Sequence, residues 1–218
     1  MGSDKAKQYL PLGDRTVIEW ALSPFLDDPR FMAVVVALAA DDHHWQSLPV
    51  ASHPKIRVTP GGAERADSVR AGVAALANDA HADDWVLVHD AARPCLELSD
   101  LNALMSVLDA NLDEAGGLLA TPLADTLKQA DTEQRVASTL PRAGLWRALT
   151  PQMFRYDVLQ RALKHAFNHG LHVTDESTAV EALGLKPRLI AGRADNLKIT
   201  VPQDMALAVS ILAARHLH

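Results

Sequence analysis

The stretch VLVHDAARP carries the most suggestive set of reactive side chains: His89 and Asp90 follow an apolar run, small Ala91 and Ala92 come next, and Arg93 closes it. An aspartate emerging from a buried strand can hold a magnesium ion while a polyphosphate supplies the other ligands. The same residue could equally cap a helix or close a turn. PGGAERADS sets Gly61 and Gly62 where backbone can approach a flat ligand, with Arg65 and Ser68 near a helix start that favours an anion. A plain turn accounts for those glycines as well. GRADNLKIT puts Asp195 ahead of an apolar alternation and Lys198 inside it, out of line with Leu197 and Ile199. Such a lysine either reaches into a cleft to neutralise a phosphate or sits solvated at a sheet edge. Near the start, Lys5, Lys7 and Arg15 gather around Gly13-Asp14 just before a helical pattern, a place suited to meeting an anion.

Other candidates have ordinary explanations. Thr174, Asp175 and Glu176 in HVTDES stand at a helix start, where hydroxyl capping and acid-dipole pairing explain all three. His165 and His169 are four apart and His172 follows, but Gly170 interrupts the helix and no carboxylate completes a ligand set, so no metal site is read there. The chain has no G-x-S-x-G nucleophile elbow and no G-x-G-x-x-G dinucleotide fingerprint.

These residues need a scaffold, and the pattern supplies one. Short β-branched runs alternate with longer helical patterns, which predicts an α/β fold with a mostly parallel sheet. FMAVVVALA, KIRVTP, WVLV, GGLLATPLA, PRLIAG and NLKITV read as strands. WVLV, four apolar residues in succession, is expected to be central, with both faces covered. Helices are expected over Thr16 to Leu26, after GGAER with Val69, Val73 and Leu76 on one face, after a cap at Ser99 or Asp100, over Phe154 to Ala166, over Asp175 to Leu183, and from Pro202 onward. The polar stretch from Asp125 to Arg142 reads as an exposed β-hairpin, DTLKQA and QRVASTL around DTEQ, protruding as an arm that needs a partner surface. In sequence terms, 1–218 form one domain with a dimerisation arm at about 123–145.

Composition narrows the partners. With 27 acidic and 21 basic side chains the net charge is -6, which argues against a broad nucleic-acid face. The longest apolar run is about half of what a membrane span needs. A single cysteine, Cys95, excludes an intrachain disulfide framework, and cytoplasm is the expected compartment.

Taken together and in order, KQYL, GGAERADSV, WVLVHDAARP, DTLK, GLWRALTPQMF, TDES and GRADNLKIT resemble the 2-C-methyl-D-erythritol 4-phosphate cytidylyltransferases of the non-mevalonate isoprenoid pathway. The resemblance spans nearly the whole chain. It implies a Rossmann-like nucleotidyltransferase fold, a homodimer with swapped arms, and a magnesium-dependent reaction of cytidine triphosphate (CTP) that releases pyrophosphate. By motif match it implies Lys7 and Lys198 at the α-phosphate and Asp90 with Asp195 at magnesium. Gly61, Gly62, Arg65, Ser68 and Ala91 would lie along the nucleotide. Methylerythritol phosphate would lie against Asp90 and Thr174, with Arg93, Thr126 and Arg142 from the other subunit.

Three positions depart from the family pattern. Ala6 stands where a proline usually precedes the lysine, Ala63 where some members carry an acid, and the buried strand and glycine-rich A-A-G-x-G-x-R-M segment that open the family pattern are missing before Met1. This chain is therefore expected to bind CTP poorly. Ribitol phosphate as the polyol, and a catalytically inactive binding module, remain as alternative readings.

Overall fold

The computed structural model describes residues 6–111 and 115–215; Lys5 lies outside the described residues. Two short paired strands, β1 (Pro11–Leu12) and β2 (Arg15–Thr16), flank a turn at Gly13, whose φ of +68° suits glycine. They lead into α1 (Val17–Leu26). This helix starts at Thr16 because the Thr16 N–H and hydroxyl both donate to the Glu19 carboxylate, at 2.9 and 2.8 Å. Its Ile18, Leu22 and Leu26 pack on Tyr9, Val36 and Trp45.

There follow β3 (Val34–Leu38), β4 (Ile56–Pro60), α2 (Arg65–Ala74), β5 (Trp85–Val88), α3 (Leu98–Asp109) and β6 (Gly116–Pro122). Then come β7 (Leu127–Ala130), β8 (Val136–Leu140), β9 (Trp146–Arg155), α4 (Tyr156–Asn168), α5 (Glu176–Glu181), β10 (Arg188–Ala191) and α6 (Pro202–Arg215). The main sheet has the order β10-β6-β9-β5, and β3 pairs with β4 in a separate parallel ladder. Helices cover both faces of the main sheet. Val73 of α2 and Leu159 and Leu163 of α4 pack with Val86 and Phe154 on one side, and Leu101, Leu104 and Leu108 of α3 pack with Leu119, Leu149 and Met153 on the other.

Four expectations change. WVLV is not central: β5 ends the four-stranded ladder and pairs only with β9 among the described residues. Its continuous apolar run reports two helix-covered faces, with Val86 and Val88 against α2 and α4 and Trp85 and Leu87 on the opposite side. Coverage of the faces does not require a strand on each edge. Second, β9 escapes a sequence reading because every residue from Leu149 to Phe154 is buried, which erases the period-two alternation. It runs antiparallel to both β5 and β6, so the main sheet is mixed, with β6 and β10 parallel. Third, NLKITV forms no ladder; it is an extended segment tied to the β5 end by the Ile199 N–H to the Ala92 carbonyl, 2.8 Å. Fourth, α3 is capped at Glu97, and Asp100 is instead buried, accepting the Arg193 N–H at 2.8 Å.

The expected arm is an antiparallel hairpin of β7 and β8. Its turn is closed by Asp131 Oδ1, which accepts from the Glu133 and Arg135 N–H groups at 2.9 and 2.8 Å. No helix among the described residues is long and apolar enough to cross a membrane.

Candidate active site

The carboxylate of Asp90 sits just past the end of β5, with its side chain only 10% exposed, among three cations. Arg65 Nε reaches Oδ1 at 3.1 Å, while Arg93 Nε and Lys198 Nζ reach Oδ2 at 3.2 and 3.0 Å. Burial alone would raise the Asp90 pKa, but Arg65, Lys198 and Arg93 together hold it well below the usual carboxylate range. Asp90 therefore stays ionised, and the cluster carries net positive charge where an anion would approach.

Each partner arrives from a different element. Lys198 comes from the extended 196–200 segment, whose Leu197 and Ile199 pack inward with Leu12, Val17 and Cys95, so the intervening lysine projects the other way. It is 38% exposed and bridges buried Asp90 to solvent. Arg93 follows the 90–93 turn, closed by the Arg93 N–H to the Asp90 carbonyl at 3.0 Å, and its Nη1 donates to the Asn196 carbonyl at 2.8 Å. Expected to act on a neighbouring subunit's substrate, Arg93 lies in its own chain's Asp90 cluster and is 11% exposed. Arg65, in the first turn of α2, spends two more nitrogens on Glu176, at 2.6 and 3.0 Å. It acts in this arrangement as a strut joining α2, the β5 end and α5.

The nucleotide-loop residues form a neighbouring unit. Gly61 donates its N–H to the Leu38 carbonyl at 2.7 Å, extending the β4 pairing past β3. The Gly62 N–H meets Ser68 Oγ at 3.1 Å, and a Cβ at Gly62 would collide with Asp67. Glycine is thus required for the loop to fold onto the α2 start. Ala91 is exposed beside Asp90.

Thr174 is exposed at the start of α5, its hydroxyl 3.1 Å from that of Thr178. Asp175 is the cap, accepting from the Thr178 N–H at 2.9 Å. Lys7 is not bonded to Asp90; it lies near the start of α6, by Asp204, whose pKa is lowered first by the Val201 and Thr200 N–H groups and last by the Lys7 charge. Thr126 and Arg142 are exposed on the arm, with Arg142 Nη1 donating to the Ala124 carbonyl.

The carboxylate expected beside Asp90 at magnesium is otherwise engaged. Asp195 accepts from Arg193 at 2.9 and 2.7 Å and lies 3.2 Å from Arg215; burial pushes its pKa up, and these arginines outweigh it and hold the pKa low. Among the described residues no three His, Cys, Asp or Glu side chains form a metal-binding group. Asp90, whose two oxygens are likewise shared among Arg65, Arg93 and Lys198, would hold magnesium where the ion displaces one of these cations and phosphate oxygens complete the shell. Asp195, as arranged, does not supply a second.

Sequence reasoning missed the polar residues of β9. Thr150 Oγ1 accepts the Asp90 N–H at 3.1 Å, and Gln152 bridges to α5, donating to Asp175 Oδ2 and accepting the Ser177 N–H, both at 2.8 Å. Glu176 was explained by helix capping, yet its side chain is 1% exposed and is the counter-ion of Arg65. The available signal was polar residues inside the TPQMF run, which a purely apolar buried strand would not need.

An α/β sheet covered by helices on both faces, with an ionised aspartate ringed by cations at a strand end, defines a class of α/β protein suited to handling a phosphorylated ligand. The family model described as 2-C-methyl-D-erythritol 4-phosphate cytidylyltransferase matches residues 1–214, and the chain belongs to that family. Among curated relatives, the 2-C-methyl-D-erythritol 4-phosphate cytidylyltransferase of Ectopseudomonas mendocina is 54% identical over 207 residues, spanning 94% of this chain and 87% of the relative. That of Tolumonas auensis is 49% identical over 217 residues, spanning 100% and 92%. A solved 4-diphosphocytidyl-2C-methyl-D-erythritol synthase aligns with a TM-score of 0.85 at 40% identity, covering 94% of each chain. The Francisella tularensis enzyme of the same family aligns with a TM-score of 0.85 at 33% identity, covering 95% of this chain and 94% of its own.

Proposed function

We propose that this chain transfers a cytidylyl group from CTP to 2-C-methyl-D-erythritol 4-phosphate for isoprenoid precursor synthesis. The observation that carries the reading is the Asp90 cluster, where Arg65, Arg93 and Lys198 converge on one buried carboxylate. In this reaction a phosphate oxygen of the polyol attacks the α-phosphorus of CTP, the bond from that phosphorus to the bridging oxygen breaks, and pyrophosphate leaves. Alignment and positive charge around the α-phosphate supply most of what such a displacement needs.

Lys198, anchored on Asp90 and open to solvent, is suited to following the developing charge, and Lys7 would join it from the α6 side. Gly61, Gly62, Ser68 and Ala91 would line the nucleotide as small groups, the Gly61 and Gly62 N–H groups being spent on the Leu38 carbonyl and Ser68. Thr174, exposed at the α5 start, would face the polyol phosphate. Magnesium held by Asp90 would add charge neutralisation on the phosphates.

The reading includes a homodimer. Val136 and Leu140 on the arm and Leu145 and Trp146 at its base are 65%, 42%, 41% and 37% exposed, an apolar set that a second copy would cover. Thr126 and Arg142 would then serve the partner's site. A cytoplasmic setting accords with the lone buried cysteine.

Mixing two inactive variants tests both parts. Lys198→Ala and Arg142→Ala subunits, each inactive alone, should regain about a quarter of wild-type product formation after subunit exchange, because half the dimers carry one intact site. No recovery with exchange demonstrated would place Arg142 outside the partner's site. Turnover of ribitol phosphate in preference to methylerythritol phosphate would overturn the polyol assignment.

A further inference from the structure

His89 lies beneath the Asp90 turn with both ring nitrogens engaged. Nε2 is 3.1 Å from the Arg93 carbonyl, and Nδ1 is 3.0 Å from Thr150 Oγ1. These contacts fix the proton positions. A carbonyl oxygen only accepts, so Nε2 carries the hydrogen and donates it. In the neutral ring Nδ1 is then an acceptor, so the Thr150 hydroxyl must donate to it. That leaves the Thr150 oxygen free to accept the Asp90 N–H at 3.1 Å. A directed chain therefore runs from Asp90 through Thr150 and His89 to the Arg93 backbone.

The ring of connections closes on the charged groups. Arg93 Nε returns to Asp90 at 3.2 Å, Arg93 Nη1 donates to the Asn196 carbonyl, and Asn196 Nδ2 donates to the Thr150 carbonyl at 2.8 Å. Asn196 stands two residues before Lys198, so the third cation is tied to the same frame. Packing alone explains neither nitrogen of His89: its ring also lies 5.4 Å from the Phe25 ring, a contact an apolar side chain would make as well.

We infer that His89 is a positioning residue of the transfer reaction, holding the Asp90 carboxylate and the Arg93 guanidinium in register through the Thr150 hydroxyl and the Arg93 carbonyl. The inference rests on the cytidylyl-transfer reading. His89 touches no reacting atom; it sets where the groups that do are held, and a displacement of about 1 Å in such groups can cost about a hundredfold in rate.

The test is a double-variant cycle on the full chain, read as kcat/KM for methylerythritol phosphate at saturating CTP. His89→Gln retains a donor toward the Arg93 carbonyl but loses the acceptor for Thr150, and Thr150→Val removes the other end of that link. Each is expected to lower kcat/KM by about 10- to 100-fold, the pair together no more than the worse single, and Thr150→Ser to restore activity to within about twofold. Losses that multiply in the double variant, or wild-type turnover in His89→Gln, would overturn the inference. If the variants fail to fold, nitrogen-15 NMR of the wild-type protein decides: His89 should be the Nε2–H tautomer, and an Nδ1–H tautomer contradicts the chain. Absence of product from the wild type would instead overturn the transfer reading itself.

Discussion

Replacing Glu176 with glutamine removes one charge from a pair that the fold has almost sealed. The Glu176 side chain is 1% exposed, and Arg65 grips both its oxygens at 2.6 and 3.0 Å. Burial pushes the Glu176 carboxyl up, and the Arg65 fork opposes that. Breaking a buried pair from one side typically costs 3–5 kcal/mol, because the remaining charge stays desolvated without its partner. Here the low end applies, about 3 kcal/mol, since Arg65 keeps Asp90 and a third of its side-chain surface is in contact with water. Urea unfolding at pH 7 should show an unchanged slope and a midpoint lower by about 1.5 M, taking a slope of about 2 kcal/mol per molar. Activity should fall too, because Arg65 loses the anchor that aims it at Asp90. A midpoint within about 0.5 M of wild type would refute the claim that this pair carries the α2–α5 junction.

Gln152→Leu removes one buried and one part-buried hydrogen bond to the α5 start and should cost about 2–4 kcal/mol. Hydrogen exchange should accelerate at Ser177 and leave mid-α4 unchanged; equal acceleration of both would indicate global loosening. Burial lowers the His89 pKa to about 4 from its ordinary value near 6.5, so between those values the unfolded chain binds a proton that the folded chain does not. Stability is therefore lost as pH falls, by about 2 kcal/mol between pH 7 and 5 from this group, and His89→Gln should flatten the stability profile by that amount. An identical profile in the variant would contradict a neutral, enclosed ring. Cys95 is 0% exposed and burial lifts its thiol pKa to about 11, so a thiol reagent at pH 8 should modify it only after unfolding. Prompt reaction of the native protein would place the thiol at the surface.

Particular residues show where sequence reading succeeds. The strands β3, β4 and β6, the arm hairpin and the direction of Lys198 were legible because each is set by a short β-branched or apolar run, by local alternation or by turn chemistry. Lys198 between Leu197 and Ile199 needed no ladder to point away from them; the extended backbone was enough. What stayed hidden depends on distant partners. Arg65 and Glu176 are 111 residues apart, and nothing near either one announces a buried pair. Thr150 and Gln152 belong to a strand buried on both faces, so no period marked it as a strand, and their polarity, the one trace in the run, did not say which distant groups they hold. The edge position of β5 was illegible for a related reason: hydrophobicity reports how many faces are covered, and pairing of its edges leaves no trace in side-chain type.

The central claim is tested most directly by incubating the protein with CTP, magnesium and methylerythritol phosphate and assaying 4-diphosphocytidyl-2-C-methyl-D-erythritol together with pyrophosphate. The account predicts that the two products appear in equal amounts, require both substrates, and fall with Asp90→Asn and Lys198→Ala. Pyrophosphate without the cytidylyl product, or neither product from folded protein at saturating CTP, would contradict it.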